Sequence, residues 1–326
     1  MEKLYTFDDV LLEPQYSDIM SRHDVDTSVK LGPFDFKIPI IAANMNKICD
    51  SRMAIAMGEL GGLGVIHRFN TIDEQYEEAK KVKDAGHITA VALGVKDLEE
   101  RSAKLSSVAD IFVIDIAHGH SKTVIDAIKY LKDNYKQYVI AGNVATGAGA
   151  MDLSQAGADC IKVGIGPGRT CQTRPVTGHG VPQLAAIVNC VGPYPIIADG
   201  GIKSSGDLVK ALAAGATMVM LGNLLAGTTE TPGEIRVRTD GSKYKYFMGM
   251  SSKEASNRDD VTPEGISVEV PFKGDVKYVI KDLMGGLKSG MTYSGARTLF
   301  ELVHKSEFIR ITNNGAWESM DRAIRR

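Results

Sequence analysis

The stretch "PIIADGGIKSSGDLVKALAAGATMVMLGN", Pro195 to Asn223, contains one complete repeat of the architecture. An apolar run, "PIIADGG" (195–201), leads into an amphipathic segment that ends in Ala214-Gly215. A second apolar run, "MVMLGN" (218–223), follows. Runs this short, β-branched and apolar without alternation, suit strands buried on both faces. The "AG" before the second run is C-cap glycine chemistry. Two parallel strands need a crossover of this length between them.

The unit recurs on both sides of that stretch. Apolar runs stand at "IPIIAAN" (38–44), "LGVIHR" (63–68), "ITAVALGV" (88–95) and "DIFVIDIA" (110–117), then at "YVIAGNV" (138–144) and "CIKVGIG" (160–166). Amphipathic stretches such as "TIDEQYEEAKKVKDAG" and "SKTVIDAIKYLKDN" separate them, the first with Thr71 and Glu74 spaced as a capping box. Eight strands, each with a connector, predict an α/β protein of the (β/α)8 TIM-barrel class. A doubly wound open sheet is the alternative, but eight near-equal units leave no strand over.

Polar residues punctuate one end of this pattern. Asn44, His67-Arg68, Asp115, Asn143, Gly164 to Gly168, Asp199 to Gly201 and Gly222-Asn223 all close their strands. In barrel enzymes the C-terminal rim holds the active site. After the eighth strand, residues 240–275 read as polar and irregular, and "DVKYVIKDLMGGLKSG" (275–290) as a last amphipathic helix with a glycine stop. The expected organisation is one catalytic domain over 1–326. It has an N-terminal arm (1–37), a barrel core (38–227), and a flap with C-terminal segment (228–326).

Composition narrows the function. With 38 basic and 40 acidic residues the net charge is −2, which removes the electrostatic case for nucleic-acid binding. The opening "MEKLYTFDDV" lacks the apolar core of a signal peptide, and no apolar run approaches the ~20 residues of a membrane helix. Cys49, Cys160, Cys171 and Cys190 show no paired spacing, which fits a reducing, cytoplasmic setting. A content of 44% hydrophobic residues suffices for a sizeable core.

Two loops carry chemistry. Asp199-Gly200-Gly201 and Gly222-Asn223 follow strands seven and eight, where barrels bind phosphate through backbone N–H groups. In "VGIGPGRTCQTR" (163–174), Cys171 lies in a glycine-rich loop beyond a strand end, between Arg169 and Arg174. Nearby cations raise the thiolate fraction of a thiol, so Cys171 reads as a nucleophile, whereas Cys160 and Cys190 read as buried hydrophobes. His179 is too weakly placed to form a dyad with it, and "HGH" (118–120) lacks the partners of a metal site.

The order "FDDVLLEP", "PIIAANM", "AGNVAT", "KVGIGPG..C.TR", "TGHGVPQ", "IADGGI.SSGD", "VMLG..LAG" and "EGISVEVPFKGDV" resembles the purine-nucleotide oxidoreductase family of IMP dehydrogenase and GMP reductase, over nearly the whole chain. The resemblance implies a barrel that binds a purine nucleoside monophosphate, a cysteine that attacks purine C2, and a nicotinamide cofactor exchanging hydride there. By position, Cys171 would be the nucleophile and Thr173 and Glu264 its acid–base partners. Asp199 would hold the ribose hydroxyls. Gly200, Gly201, Gly222 and Asn223 would surround the phosphate, with Gly249, Met250, Ser251 and Gly265 completing the nucleotide site.

Carbonyls of Gly166, Gly168 and Cys171 would hold a monovalent cation, K+ by the family's pattern. Arg68, Asp115, Ile116, Ala117 and Ser289 would meet the cofactor, as would Ser21-Arg22 from a neighbouring subunit, implying a homotetramer.

Within the family the pattern leans to the reductase branch, which turns GMP into IMP and ammonia with NADPH. "VIHRFNTIDEQ" runs straight into a helix, without the regulatory domain typical of dehydrogenases. The segment "GMSSKEASNRDDVTPEGIS" (249–267) is short, and Arg258 is followed by Asp259, not by the tyrosine of the dehydrogenases' water-activating pair. "SRHDVD" and "MTYSGA" agree with that branch, whereas "TPEGI" and "FIRITNNGAWES" lean to the dehydrogenases. The alternative is a dehydrogenase without a regulatory domain, taking IMP and NAD to XMP. Arg169 stands where the family places a serine near the phosphate, Gln172 replaces a threonine, and Val261 replaces a reductase arginine. Arg169 is expected to reach the phosphate as a charged donor.

Overall fold

The computed structural model describes residues 3–248 and 267–319. All eight predicted runs form strands: β1 Ile40–Ala42, β2 Leu63–Ile66, β3 Ala90–Leu93, β4 Ile111–Asp115, β5 Tyr138–Val144, β6 Cys160–Val163, β7 Ile196–Asp199 and β8 Met218–Leu221. They close into a parallel barrel in chain order. β8 pairs with β1 through Val219↔Ile40, and β6 pairs with β7 through Ile161↔Ile196. Nearly every strand residue is buried, because the barrel interior takes one face and the helical ring the other.

The ring consists of α1 Ser51–Glu59, α2 Ile72–Asp84, α3 Leu98–Leu105, α4 Lys122–Asn134, α5 Gly147–Gln155, α6 Gln183–Cys190, α7 Ser205–Ala213 and α8 Val276–Tyr293. These helices form for the reasons their sequences give. In α4 the buried residues Val124, Ala127, Ile128 and Leu131 recur at i, i+3, i+4 and i+7, one stripe facing the strands. Val124, Ile128 and Leu131 each contribute about 2 kcal/mol by leaving water. At the start of α2 the Thr71 hydroxyl accepts the Glu74 amide, and the Glu74 carboxylate accepts the Thr71 amide. That is the full capping box, with each group satisfying the other's orphan donor.

Two features differ from the sequence expectation. Residues 240–275 are not irregular throughout. Lys243–Met248 and Ser267–Pro271 pair antiparallel, and Arg236–Val237 adds a third short strand. The last barrel helix, α8, does not stop at Gly290. It runs on to a Ser294 cap and turns at Gly295, whose φ of 62° is left-handed. Gly286 and Gly290 serve packing instead: a Cβ there would meet Ser205 Oγ at 2.2 Å and Val209 Cγ2 at 2.7 Å, both on α7.

The chain ends are tied together. Val10–Glu13 pairs antiparallel with Glu307–Arg310. The hairpin of Val29–Leu31 and Phe34–Phe36 lies against the start of β5, with Phe34 edge-on to Tyr138 at 6.0 Å. It therefore caps the N-terminal end of the barrel and leaves the C-terminal rim open. Among the described residues no helix is long and apolar enough to cross a membrane.

Candidate active site

The rim opens into a cleft of about 920 Å³. Its walls include Arg169, Cys171 and Thr173 from the loop after β6, Asp199 to Gly201 after β7, and Gly222-Asn223 after β8. Arg68 and Asp115 to Ala117 line it from β2 and β4, and Gly166 and Gly168 from the base of the cysteine loop. One cleft thus gathers the residues read separately as nucleophile, ribose and phosphate contacts, cofactor contacts and cation ligands. Thr6, Phe7, Met45 and Phe247 join them without having been singled out in the sequence.

Backbone geometry explains the glycines at two points. A Cβ on Gly164 would sit 2.0 Å from the Asp199 carbonyl oxygen, so any other residue would push the cysteine loop off β7. Gly200 and Gly201 have φ of 89° and 81°, which turn the chain sharply after Asp199. The Gly168 carbonyl accepts the Cys171 amide at 3.1 Å, and this turn holds Cys171 over the cleft.

Cys171 differs from the other three cysteines, which are fully buried. Burial pushes the Cys190 thiol up to about 12 and raises those of Cys49 and Cys160 as well, so these three are inert core residues. Cys171 is part-exposed in the cleft, and its thiol donates to the Thr173 hydroxyl at 3.2 Å. Arg174 is bound within the loop. Its guanidinium donates to the Val181 carbonyl at 2.8 Å, stapling the two ends of the loop. His179 is held in its own turn, Nδ1 donating to the Thr177 carbonyl at 2.8 Å, and forms no dyad with Cys171. In "HGH", His120 Nε2 lies 2.8 Å from Asp152 on the surface.

The centre of the cleft carries a polar network with a member that the sequence reading missed. Lys162, on β6, is 1% exposed; its ammonium donates to Asp199 at 2.7 Å and to Asp115 at 3.3 Å. Burial alone would lower this lysine's pKa, but the two carboxylates outweigh burial and raise it. Asn143 Nδ2 donates to Asp199 at 2.9 Å and to the Gly164 carbonyl at 2.7 Å. A register shift between Gly142 and Val144 re-aims this asparagine. Arg68 Nε stands 3.6 Å from Asp115 Oδ2. Arg68 Nε, Asp115 Oδ2, Asn143 Oδ1 and Gln183 Oε1 are buried without a hydrogen bond among the described residues. Orphaned buried polar atoms facing one cleft are what a polar ligand would satisfy.

Near the phosphate loops a second cation joins the exposed Arg169. Lys273 Nζ donates to the carbonyls of Leu224 at 2.8 Å and Asn223 at 3.3 Å. Burial, and then the nearby Arg169 guanidinium, push its ammonium below the usual lysine value. Two cations crowded beside Gly222-Asn223 suit an anion.

Other predicted residues lie elsewhere. Ser21 and Arg22 form a turn in the N-terminal arm, where the Ser21 amide donates to Asp24, and neither lines the cleft of its own chain. Ser289 is half-buried on α8, also off the cleft. Gly249, Met250, Ser251, Glu264 and Gly265 lie outside the described residues, as do Arg258, Asp259 and Val261. Among the described residues no cluster of His, Cys, Asp and Glu could hold a metal.

Comparison with known proteins gives this arrangement its context. The family model for the IMP dehydrogenase / GMP reductase domain matches residues 4–321. A GMP reductase of Ligilactobacillus salivarius is 38% identical over 320 residues, covering 95% of this chain and 97% of its own. An inosine-5'-monophosphate dehydrogenase of Cryptosporidium parvum is 37% identical over 376 residues, covering 96% and 94%. The crystal structure of a cysteine-to-alanine variant of Trypanosoma brucei GMP reductase, in complex with guanosine 5'-monophosphate, superposes with a TM-score of 0.93. It is 30% identical, over 99% of this chain and 98% of that one. The chain belongs to the IMP dehydrogenase / GMP reductase family of purine-nucleotide oxidoreductases.

Proposed function

We propose that this chain is a GMP reductase, converting GMP to IMP and ammonia with NADPH. The observation that carries the reading is the Cys171 thiol, hydrogen-bonded to Thr173 in the cleft that also holds Asp199, Arg68 and Asp115. In this reading Cys171 adds to purine C2, and the 2-amino group leaves as ammonia, giving a thioimidate. NADPH supplies the hydride to C2. The cysteine sulfur then departs as the C2–S bond breaks, and IMP is released.

The chain's own residues provide the setting. Thr173 and Glu264 pass protons to the departing nitrogen, which requires hydrogen-bond reach. Asp199 accepts the ribose hydroxyls, and Arg169 with Lys273 faces the phosphate beside Gly200, Gly201, Gly222 and Asn223. Gly249, Met250, Ser251 and Gly265 belong to the same nucleotide site by sequence. Arg68 and Asp115 to Ala117 line the cofactor end. Carbonyls of Gly166, Gly168 and Cys171 would hold a monovalent cation that stiffens the cysteine loop. Ser21 and Arg22 are off the cleft of their own chain, so their cofactor contacts would come from a second subunit, as a homotetramer would supply, and Ser289 on α8 belongs to the cofactor contacts by resemblance.

Sequence supports the reductase branch over the dehydrogenase one. Arg258 is followed by Asp259, so the site lacks the Arg-Tyr pair that would activate water. The similarity to a dehydrogenase at 37% identity keeps IMP oxidation with NAD as the second reading. Incubation with GMP plus NADPH, and separately with IMP plus NAD, decides between them. Turnover is expected in the first mixture, and turnover only in the second would overturn the assignment.

A further inference from the structure

The Lys162 ammonium is shared between two carboxylates that the proposed function assigns to different ligands. Asp199, on β7, faces the nucleotide ribose, and Asp115, at the end of β4, faces the cofactor. Lys162 reaches both from β6, at 2.7 and 3.3 Å, with its side chain only 2% exposed. No other strand of the barrel carries a buried lysine, among the described residues. A buried ammonium is costly to desolvate and persists where its partners are well placed.

The groups facing this lysine account for its charge. Asp199 and Asp115 are its anionic partners. Arg68 stands 3.6 Å from Asp115, and Asn143 donates to Asp199. Two cations and two carboxylates therefore balance at the floor of the cleft. Of this set, Lys162 alone touches both carboxylates.

We propose that Lys162 is a positioning residue that joins the nucleotide end of the cleft to the cofactor end, orienting Asp199 and Asp115 with one ammonium so that occupancy of either end favours the other. This rests on the assignment of Asp199 to the ribose and Asp115 to the cofactor. The physical content is a shared donor. A ligand that draws Asp199 into hydrogen bonds fixes Lys162, and through it Asp115, in the geometry that the second ligand needs. Coupling of this kind is reciprocal in the two binding constants. Lys162 touches neither reacting atom and donates no proton in this scheme.

Lys162→Met keeps an unbranched chain as far as Cε and removes the ammonium. Two carboxylates then face each other with Arg68 as the remaining cation, and one of them takes up a proton at a higher pH than before. Nucleotide binding that needs Asp199 as an acceptor should fail earlier on acidification. In calorimetric titrations we expect wild type to bind GMP several-fold more tightly when NADP+ is present. In Lys162→Met that enhancement should vanish, GMP affinity should drop by about tenfold or more at neutral pH, and the acid limb of binding should move up by about one pH unit.

A purely structural lysine would lower affinity without moving the acid limb. The double variant Asp115→Asn/Lys162→Met, compared with Asp115→Asn alone, removes the excess negative charge. It should recover most of the lost GMP affinity, and it keeps the test open if Lys162→Met fails to fold. An unchanged enhancement and an unchanged acid limb in Lys162→Met overturn the proposal and leave the reductase reading intact. Absence of that recovery likewise overturns it. Wild-type protein that binds neither GMP nor NADP+ overturns both.

Discussion

The Cys171 thiol donates to the Thr173 hydroxyl across 3.2 Å, with only Gln172 between them in the chain. A hydroxyl can donate one hydrogen bond and accept another through the same oxygen, so it can relay a proton. In the proposed reaction the pair would place an acid–base group beside the nucleophile without a histidine. Thr173→Val is expected to lower kcat by about 10²-fold or more, with the dissociation constant for GMP within a few-fold of wild type. Cys171→Ala should lose at least about 10³-fold in kcat while still binding nucleotide. Retention of full turnover by Cys171→Ala would refute covalent catalysis with either substrate.

Arg169 is exposed at the mouth of the cleft and crowds Lys273, whose ammonium is pushed down by burial and by Arg169 itself. A phosphate dianion between them would relieve that repulsion. Arg169→Ser restores the residue typical of the family and should weaken GMP binding by about tenfold. Guanosine, lacking the phosphate, should bind both forms equally. Equal losses for GMP and guanosine would assign Arg169 to loop structure.

Asp199 accepts from Lys162 and Asn143 through the same oxygen, Oδ2. Asp199 lines the cleft together with Gly200 and Gly201, where ribose hydroxyls are expected. Asp199→Asn would turn an anionic acceptor into a weaker one. Wild type should prefer GMP to 2'-deoxy-GMP in kcat/KM, and the variant should lose about tenfold or more of that preference. A preference that survives the substitution would show that the ribose is read elsewhere.

The barrel was legible in the sequence because its strands are buried on both faces and so appear as unbroken apolar runs. The small sheet after β8 was not. Its strand "KYKYFM" alternates, with Lys245 and Phe247 inward and Tyr246 outward, and a lysine in an inward position disguised the period of two. Lys245 is tolerated there because it donates to the Thr231 carbonyl at 2.7 Å.

Lys162 is hidden for a related reason: it sits inside the apolar run "CIKVGIG", although a lone charge amid a doubly buried strand is itself a signal. The rim residues were legible because they interrupt apolar runs at equivalent points. Lys273 was not, because only the return of the chain after the small sheet brings it to Asn223.

Glu264 tests the assignment from outside the described residues. By resemblance it completes the proton relay with Thr173. Glu264→Gln keeps the shape and removes the proton acceptor, so GMP reduction should fall by about 10²-fold or more while GMP still binds. An equal loss of GMP binding would make Glu264 a ligand contact instead.

His67, at the end of β2, predicts how the fold responds to acid. Burial lowers its pKa to about 4, against the opposing pull of Asp50 and Glu78. Its Nδ1 accepts the Phe69 amide at 3.2 Å, a bond that needs the neutral ring. The folded pKa lies below the unfolded value of about 6.5, so the unfolded chain binds the extra proton between those two values. The stability contribution is therefore complete above pH 6.5 and is lost progressively as pH falls toward 4. Linkage puts the loss at about 2 kcal/mol by pH 5, less to the extent that water reaches the ring. His67→Asn can still accept the Phe69 amide but does not titrate. Urea unfolding at pH 7 and pH 5 should show wild type losing more stability than the variant. If both lose the same amount, His67 carries no acid sensitivity, and the carboxylate ion pairs account for all of it.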